Sequence, residues 1–381
     1  MLLAPGPVQL HPEVQKSLSL PMIHHRTPEF DQILARVLSK LPWLFQTINP
    51  CFMLSSTGSG GMECLLVNVL RPGEHILAIV SGKFGERWAE MATTYGAKVT
   101  VLNVEWGKAA QPHQIEKALI AHPDISIVLC QACETSSGVS HPIKEIGSII
   151  HQYPNTLFLV DGITALGAYP IEMDAWHIDG LVGGSQKAFM LPTGMSFLSF
   201  SQKAWNKINS NELPRFYFDI RKELKANQNG ETYFSSNVSL IRALDVVMQI
   251  IEEKGLHKHY QEISQRAQWM RKYGQQIGLK LYAESPSDSI TAFLLPNSID
   301  GQKLRSHLEK TYAITIMGGQ DQAKGKIIRI GHMGYIQPHE MFSLLENLIQ
   351  SMQQFDSQFL IHLDLAKILQ DAKQELATWS S

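Results

Sequence analysis

Lys187 closes the run Asp179-Gly-Leu-Val-Gly-Gly-Ser-Gln-Lys187, a hydrophobic strand pattern that ends in small residues and then presents one amine. Burial or a neighbouring cation lowers the pKa of such an amine and leaves enough free base to attack a carbonyl. A lysine taken alone is ordinarily a solvated surface group, so its company decides. Ser55-Ser-Thr-Gly-Ser-Gly-Gly61 precedes a helical pattern that opens Met62-Glu-Cys-Leu-Leu. Glycines there let the backbone approach an anion, and the free N–H groups of a helix start favour negative charge. The same stretch also reads as a glycine-rich turn, and it is neither a Walker motif nor a strict GxGxxG. Asp161 ends the apolar run Thr156-Leu-Phe-Leu-Val-Asp161. A carboxylate at a strand end is commonly a turn or helix-cap residue, and it is also the group that pairs with a protonated pyridine nitrogen. An amine, an anion cradle and such a carboxylate are together what pyridoxal phosphate requires.

These residues need a scaffold that ends strands side by side. Apolar, β-rich runs at His75 to Val80, Lys98 to Val104, Ser126 to Cys130, Thr156 to Val160, Gly180 to Gly183 and Met195 to Phe200 read as strands. Between several of them, apolar residues recur at helical spacing in Phe84 to Tyr95, Pro112 to Ala121 and Ile143 to Tyr153. The alternation predicts an α/β fold with a mainly parallel sheet covered by helices on both faces. Sites in that architecture lie beyond the carboxyl ends of the strands, where Asp161 and Lys187 follow two successive runs. Near Glu252-Glu-Lys-Gly255 the pattern changes to a helix (His257 to Ile277), strands at Ser289 to Leu295 and Lys326 to Gly331, and helices at Gly301 to Thr311 and from Pro338. The expected organisation is an N-terminal arm (1–18), a large domain (19–255) and a smaller C-terminal α/β domain (256–381). The last stretch, Phe355 to Ser381, reads as an added terminal helix.

Composition narrows the function. A formal charge of −2 without a Lys/Arg block argues against nucleic acid or an anionic membrane as partner. No apolar run reaches the roughly 18 residues needed to span a bilayer, and the start Met-Leu-Leu-Ala-Pro-Gly-Pro lacks a secretory pattern, so a cytoplasmic protein is expected. Four cysteines, Cys51, Cys64, Cys130 and Cys133, are too few and too scattered for a disulfide framework or a zinc ribbon. Cys130-Gln-Ala-Cys133 reads as a pair of buried thiols closing an apolar run. His24-His25 has no third ligand at metal spacing, so no metal is expected.

The whole chain resembles the class V, fold-type I aminotransferases of the alanine–glyoxylate and serine–pyruvate type, and within them the group labelled soluble hydrogenase 42 kDa subunit. The resemblance runs through Pro5-Gly-Pro7, Thr57-Gly-Ser-Gly-Gly-Met-Glu63, Gly82-Lys-Phe-Gly-Glu-Arg-Trp88, Glu134-Thr-Ser-Ser-Gly-Val139, Val160-Asp161, Gly184-Ser-Gln-Lys187, Met317-Gly-Gly-Gln-Asp321 and Ile328-Arg329-Ile-Gly331. It implies the fold type I architecture and pyridoxal 5'-phosphate as cofactor. Lys187 would bind the cofactor's aldehyde carbon, Asp161 the ring nitrogen, and Gly58, Ser59 and Gln186 the phosphate. Phe84, where relatives often carry Trp, and Ile163 would cover the two ring faces, with Thr135 beside the ring hydroxyl. Arg329 would grip the substrate carboxylate. The resemblance also implies a homodimer whose Glu231–Ser239 loop reaches the neighbouring site through Thr232 and Ser235, in a stretch where Tyr233 and Ser236 replace frequent prolines. Its Thr-Pro containing segment His24 to Phe30 resembles a substrate-side loop.

The expected activity is ping-pong transfer of an amino group from a small donor, alanine or serine, to glyoxylate or pyruvate. No second arginine is evident in the sequence for a side-chain carboxylate, which sets aspartate transamination behind. Cysteine desulfuration would require a ring-stacking His and a later Cys, and the chain has Phe84 and no Cys after Cys133. A non-catalytic place in a hydrogenase complex is the remaining alternative; it predicts erosion of the cofactor residues, and Lys187 and Asp161 are both present.

Overall fold

The apolar runs of the first half assemble into one seven-stranded sheet in the computed structural model, which describes residues 1–380. In chain order the strands are β1 (Cys51–Leu54), β2 (His75–Val80), β3 (Lys98–Asn103) and β4 (Ile125–Gln131), followed by a two-stranded hairpin of β5 (Cys133–Glu134) and β6 (Val139–Ser140). The large sheet continues with β7 (Leu157–Asp161), β8 (Gly180–Gly184) and β9 (Ser196–Phe200). Across the sheet the order is β3-β2-β4-β7-β8-β9-β1, and only β9 runs against the others. β2, β7, β8 and β9 are buried at every position, as strands covered on both faces must be.

Side-chain alternation assigns the two faces. Leu77, Ile79, Val128, Cys130, Phe158 and Val160 point into one core, which the helices Pro28–Phe45 and Val238–Lys254 cover. Ile76, Ala78, Ile127, Leu129 and Leu159 point into the other, beneath the helices Gly58–Val69 and Lys83–Thr94. β1 was not anticipated, because four residues flanked by Pro50 and a serine pair are too short to display a period. It lies at the sheet edge paired to β9, and all four residues are nevertheless buried.

A second sheet, all antiparallel, takes β10 (Lys280–Leu281), β11 (Ile290–Leu294), β12 (Met317–Gly318) and β13 (Ile327–Gly331) in the order β10-β11-β13-β12. Its core includes Trp269, Tyr273, Phe293, Ile328, Leu344 and Leu348. The expected added terminal helix is present within the last stretch. Phe355 ends the helix Pro338–Phe355, and a new helix, Leu365–Ala377, starts where Asp364 accepts the Lys367 N–H at 3.0 Å. The first residues cross to this second sheet: Leu3 N–H donates to Thr315 O at 2.9 Å, and Gly331 N–H donates to Leu3 O at 2.8 Å. That anchorage carries Pro5 and Gly6 back over the carboxyl ends of the large sheet.

Candidate active site

Lys187 leaves β8 in a compact turn. Ser185 N–H donates to Met195 O at 2.9 Å, its Oγ donates to Pro192 O at 2.7 Å, and Met190 N–H returns to Lys187 O at 3.0 Å. The side chain is buried, and Nζ donates to Pro5 O at 2.6 Å. Burial lowers its pKa to about 8, against the upward pull of Cys133 and Asp161, with Arg329 adding to the fall. At neutral pH about a tenth of such amines are free base, against roughly one in three thousand for a solvated lysine. Asp161, at the end of the adjacent β7, moves the other way: burial raises it to about 7, opposed by the Ile163 N–H that donates to Oδ1 at 2.9 Å. Oδ2 takes no partner among the described residues, so one carboxylate oxygen is free for a ligand.

A cavity of about 200 Å³ joins these groups with Thr57, Gly58, Ser59, Phe84, Thr135, Ile163 and Gln186. The sequence therefore placed eight proposed cofactor residues that the fold brings to one cavity, counting Lys187 and Asp161. A Cβ at Gly58 would stand 2.6 Å from Ile163 Cδ1, so a side chain there would have to displace Ile163 at the cavity wall. Thr135 and Thr164 share a hydrogen bond between hydroxyls at 2.8 Å. Gln186 Oε1 is buried without a partner, a polar atom that a bound group would satisfy. The free N–H groups at the start of the Gly58–Val69 helix complete an anion cradle, and this donor set fits a phosphorylated pyridine aldehyde.

Arg329, on β13, is buried beyond Thr135. Its Nε donates to Gly318 O at 2.8 Å and its Nη1 to Thr135 O at 2.7 Å, while Nη2 takes no partner among the described residues. Burial lowers its pKa to about 10, which leaves it a cation at neutral pH. Thr232 and Ser235 are not part of this cavity within the chain. They line a separate cavity with Tyr217 and Phe234, and the Thr232 hydroxyl is occupied by Phe234 O at 2.7 Å and Ser236 Oγ at 2.6 Å.

Three contributors were not read from the sequence. Arg87 lines the cavity one helical turn after Phe84, its guanidinium 5.0 Å from the Phe84 ring centroid and Nη1 3.1 Å from Ser59 Oγ. Arg87 is a second arginine at the site besides the expected residues, and the i, i+3 spacing from Phe84 was its available signal. Glu134 is buried and bonds the start of the Phe84 helix. The third is backbone: Gly6, at φ +120°, lies so close that a Cβ would stand 2.5 Å from Lys187 Cδ. Gly6→Ala is therefore expected to lower the visible absorbance gained when the protein is reconstituted with pyridoxal phosphate. Wild-type absorbance in that variant would mean the arm does not constrain Lys187.

The other chemically suggestive clusters are satisfied internally. His75, His122 and Asp124 have metal-ligand spacing at the opposite, amino end of the strands, but His75 Nδ1 pairs with Asp124 Oδ2 at 2.9 Å and Nε2 with Thr100 Oγ1 at 2.8 Å. Lys98 Nζ stands 3.5 Å from the same carboxylate oxygen and already supplies a cation. His24 and His25 stack at 4.4 Å, with His24 Nδ1 accepting the Arg26 N–H. Cys130 and Cys133 are buried free thiols, their pKa raised by that burial, and so are unsuited to thiolate chemistry.

Comparison with known proteins agrees with this geometry. Residues 12–340 match the family model described as aminotransferase class-V. The soluble hydrogenase 42 kDa subunit of Anabaena cylindrica is 34% identical over 352 residues, covering 91% of this chain and 92% of that protein. An L-aspartate–glyoxylate aminotransferase of Paracoccus denitrificans is 34% identical over 338 residues, covering 87% and 85%. The crystal structure of an alanine–glyoxylate aminotransferase from Nostoc sp. superposes with a TM-score of 0.88 at 29% identity, covering 92% of this chain and 94% of that one.

Proposed function

Since this chain belongs to the class V aminotransferases, enzymes of fold type I that depend on pyridoxal phosphate, we propose that it moves the amino group of alanine or serine to glyoxylate or pyruvate in two half-reactions at one site. The observation that carries the reading is the convergence of a depressed lysine and a buried carboxylate with one free oxygen on a single cavity, with the buried Arg329 bonded to the carbonyl of Thr135, which lines it.

When bound, pyridoxal phosphate supplies an aldehyde carbon that accepts amines and a protonated ring that takes up electrons. Asp161 would hold the proton on the ring nitrogen through a charge-assisted hydrogen bond. Gly58, Ser59 and Gln186 would hold the phosphate, and Phe84 and Ile163 would keep the ring flat between them. Arg329 orients the donor by its α-carboxylate, using Nη2 and whatever the Thr135 carbonyl releases. The Lys187 amine would serve as the base that takes the proton from the donor's α-carbon and returns it within the site. Water would supply the carbonyl oxygen of the departing oxo acid while the amino group stays with the cofactor, and the acceptor would run the exchange in reverse with release of that water, which would make the kinetics ping-pong.

A small donor suits a site in which Arg87 bonds Ser59, beside the proposed phosphate position, and so is engaged at the phosphate end. Aspartate is the second reading, favoured by that same cation in the cavity. A panel of alanine, serine and aspartate against glyoxylate, pyruvate and 2-oxoglutarate decides between them. Alanine or serine with glyoxylate or pyruvate should be fastest, and aspartate at a comparable rate would overturn the small-donor reading. In Arg329→Gln the KM for the preferred donor should rise about a hundredfold, the loss of a buried charge pair worth roughly 3 kcal/mol.

The proposal extends to a cytoplasmic homodimer. No helix among the described residues is long and apolar enough to cross a membrane. Exposed Phe216, Tyr217 and Tyr233, packed around Phe234 and topped by Lys222 4.8 Å from the Phe216 ring centroid, form an aromatic face suited to a second copy. From such a face, the Glu231–Ser239 loop would carry Thr232 and Ser235 to the neighbouring phosphate.

A further inference from the structure

Glu134 is a fully buried carboxylate that no step above uses, and its surroundings are unusual for an acid. Every polar group bonded to it is a donor. Phe84 N–H and Gly85 N–H reach Oε2 at 3.2 and 3.1 Å, and Ser136 N–H and Oγ reach Oε1 at 3.2 and 2.5 Å. A protonated carboxyl would turn one donor against another, so this set is built for the ionised form. The helix beginning at Lys83 points its N-terminus at the charge, which the peptide dipoles stabilise. Burial raises the pKa of Glu134 and these hydrogen bonds oppose the rise. Gly82 has no side chain because Ser136 Oγ and the Glu134 carboxyl occupy the space where a Cβ would stand.

Two separately working parts of the site meet at residues 134 and 135. The side chain of Glu134 fixes the backbone of Phe84, the proposed ring platform. The carbonyl of the next residue, Thr135, accepts Arg329 Nη1 at 2.7 Å and so helps aim the carboxylate-binding arginine. The negative charge of Glu134 also favours the cationic form of Arg329, offsetting part of its burial. We propose that Glu134 is a positioning residue that couples the Phe84 platform to Arg329, so that cofactor affinity and donor affinity depend on one buried carboxylate. Neither Phe84 nor Arg329 bonds the other, and the segment Glu134–Ser136 is the connection between them.

The coupling separates Glu134 from a residue that only supports the fold. Apoprotein titrated with pyridoxal phosphate by fluorescence quenching gives the cofactor Kd, and steady-state kinetics gives KM and kcat for the amino donor. Phe84→Ala should raise the cofactor Kd with little change in donor KM, and Arg329→Lys should do the reverse. Glu134→Gln, which keeps the shape but replaces an acceptor by a donor, should raise both constants about tenfold. In the double variant with Phe84→Ala, the effect on Kd should be much less than the product of the single effects. If Glu134→Gln does not fold, Ser136→Ala tests the same link through the shortest of the four hydrogen bonds, with a smaller rise in both constants. Folded Glu134→Gln or Ser136→Ala protein with both constants unchanged would overturn the proposal. So would multiplicative effects of Glu134→Gln and Phe84→Ala on Kd.

Discussion

Lys187→Ala protein is expected to lack the visible band of the lysine-bound cofactor, to yield no borohydride-fixed adduct, and to lose at least about a thousandfold in turnover. The size follows from losing both roles of one atom. On the proposed reading Nζ would be both the nucleophile that captures the aldehyde carbon and the base that moves the α-proton, and a positioned acid–base group alone contributes roughly a hundred- to ten-thousandfold. Folding should tolerate the change, because the buried amine bonds only to Pro5 O and is a charged group under a desolvation penalty. Removing it frees one carbonyl and relieves that penalty, which predicts a melting temperature near or above wild type at neutral pH. The pH dependence carries a sign of its own. Because the amine titrates near 8 instead of near 10.5, capture of pyridoxal phosphate by the apoprotein should accelerate as pH rises through 8 and level off above it. A rate still climbing steeply at pH 10 would mean that Lys187 is not depressed.

Asp161→Asn is the second large effect, and it separates binding from chemistry. The substitution keeps the hydrogen bond to Ile163 N–H and the volume, so the phosphate cradle and Lys187 should still take the cofactor. What disappears is the charge proposed to keep the ring nitrogen protonated. Losing one partner of a buried charge pair costs about 3–5 kcal/mol, which is on the order of a hundred- to several-thousandfold in rate. The expected protein is coloured but slow, with donor KM changed far less than kcat. Normal turnover in this variant would remove Asp161 from the electron-sink role. In the wild-type apoprotein the acid is raised to about 7 by burial, so its anionic form, and with it tight binding of a protonated ring, should be lost as pH falls below 7.

How much of this was legible in the sequence depends on what kind of signal each residue leaves. Asp161 and Lys187 end two apolar runs, and β7 and β8 lie side by side in parallel, so neighbouring strand ends became neighbouring side chains. Gly58 was legible as a glycine before a helix, though its reason, the contact with Ile163, was not. β1 had too few residues to show periodicity. Pro5 is 182 residues from Lys187 and offers only a carbonyl, a group every residue possesses, so no pattern could single it out. Glu134 acts on main-chain N–H groups for the same reason invisibly. Arg87 was within reach, since it shares a helix face with Phe84. Thr232 and Ser235 rest on the resemblance alone, because the chain by itself puts them in a different cavity.

The most direct test of amino transfer at this site is a single half-reaction. Reconstituted protein mixed with alanine or serine, with no oxo acid present, should lose its visible band while releasing one equivalent of the matching oxo acid per site, and glyoxylate or pyruvate added afterwards should restore the band. A band that survives both donors unchanged, or one that only aspartate discharges, would contradict the account.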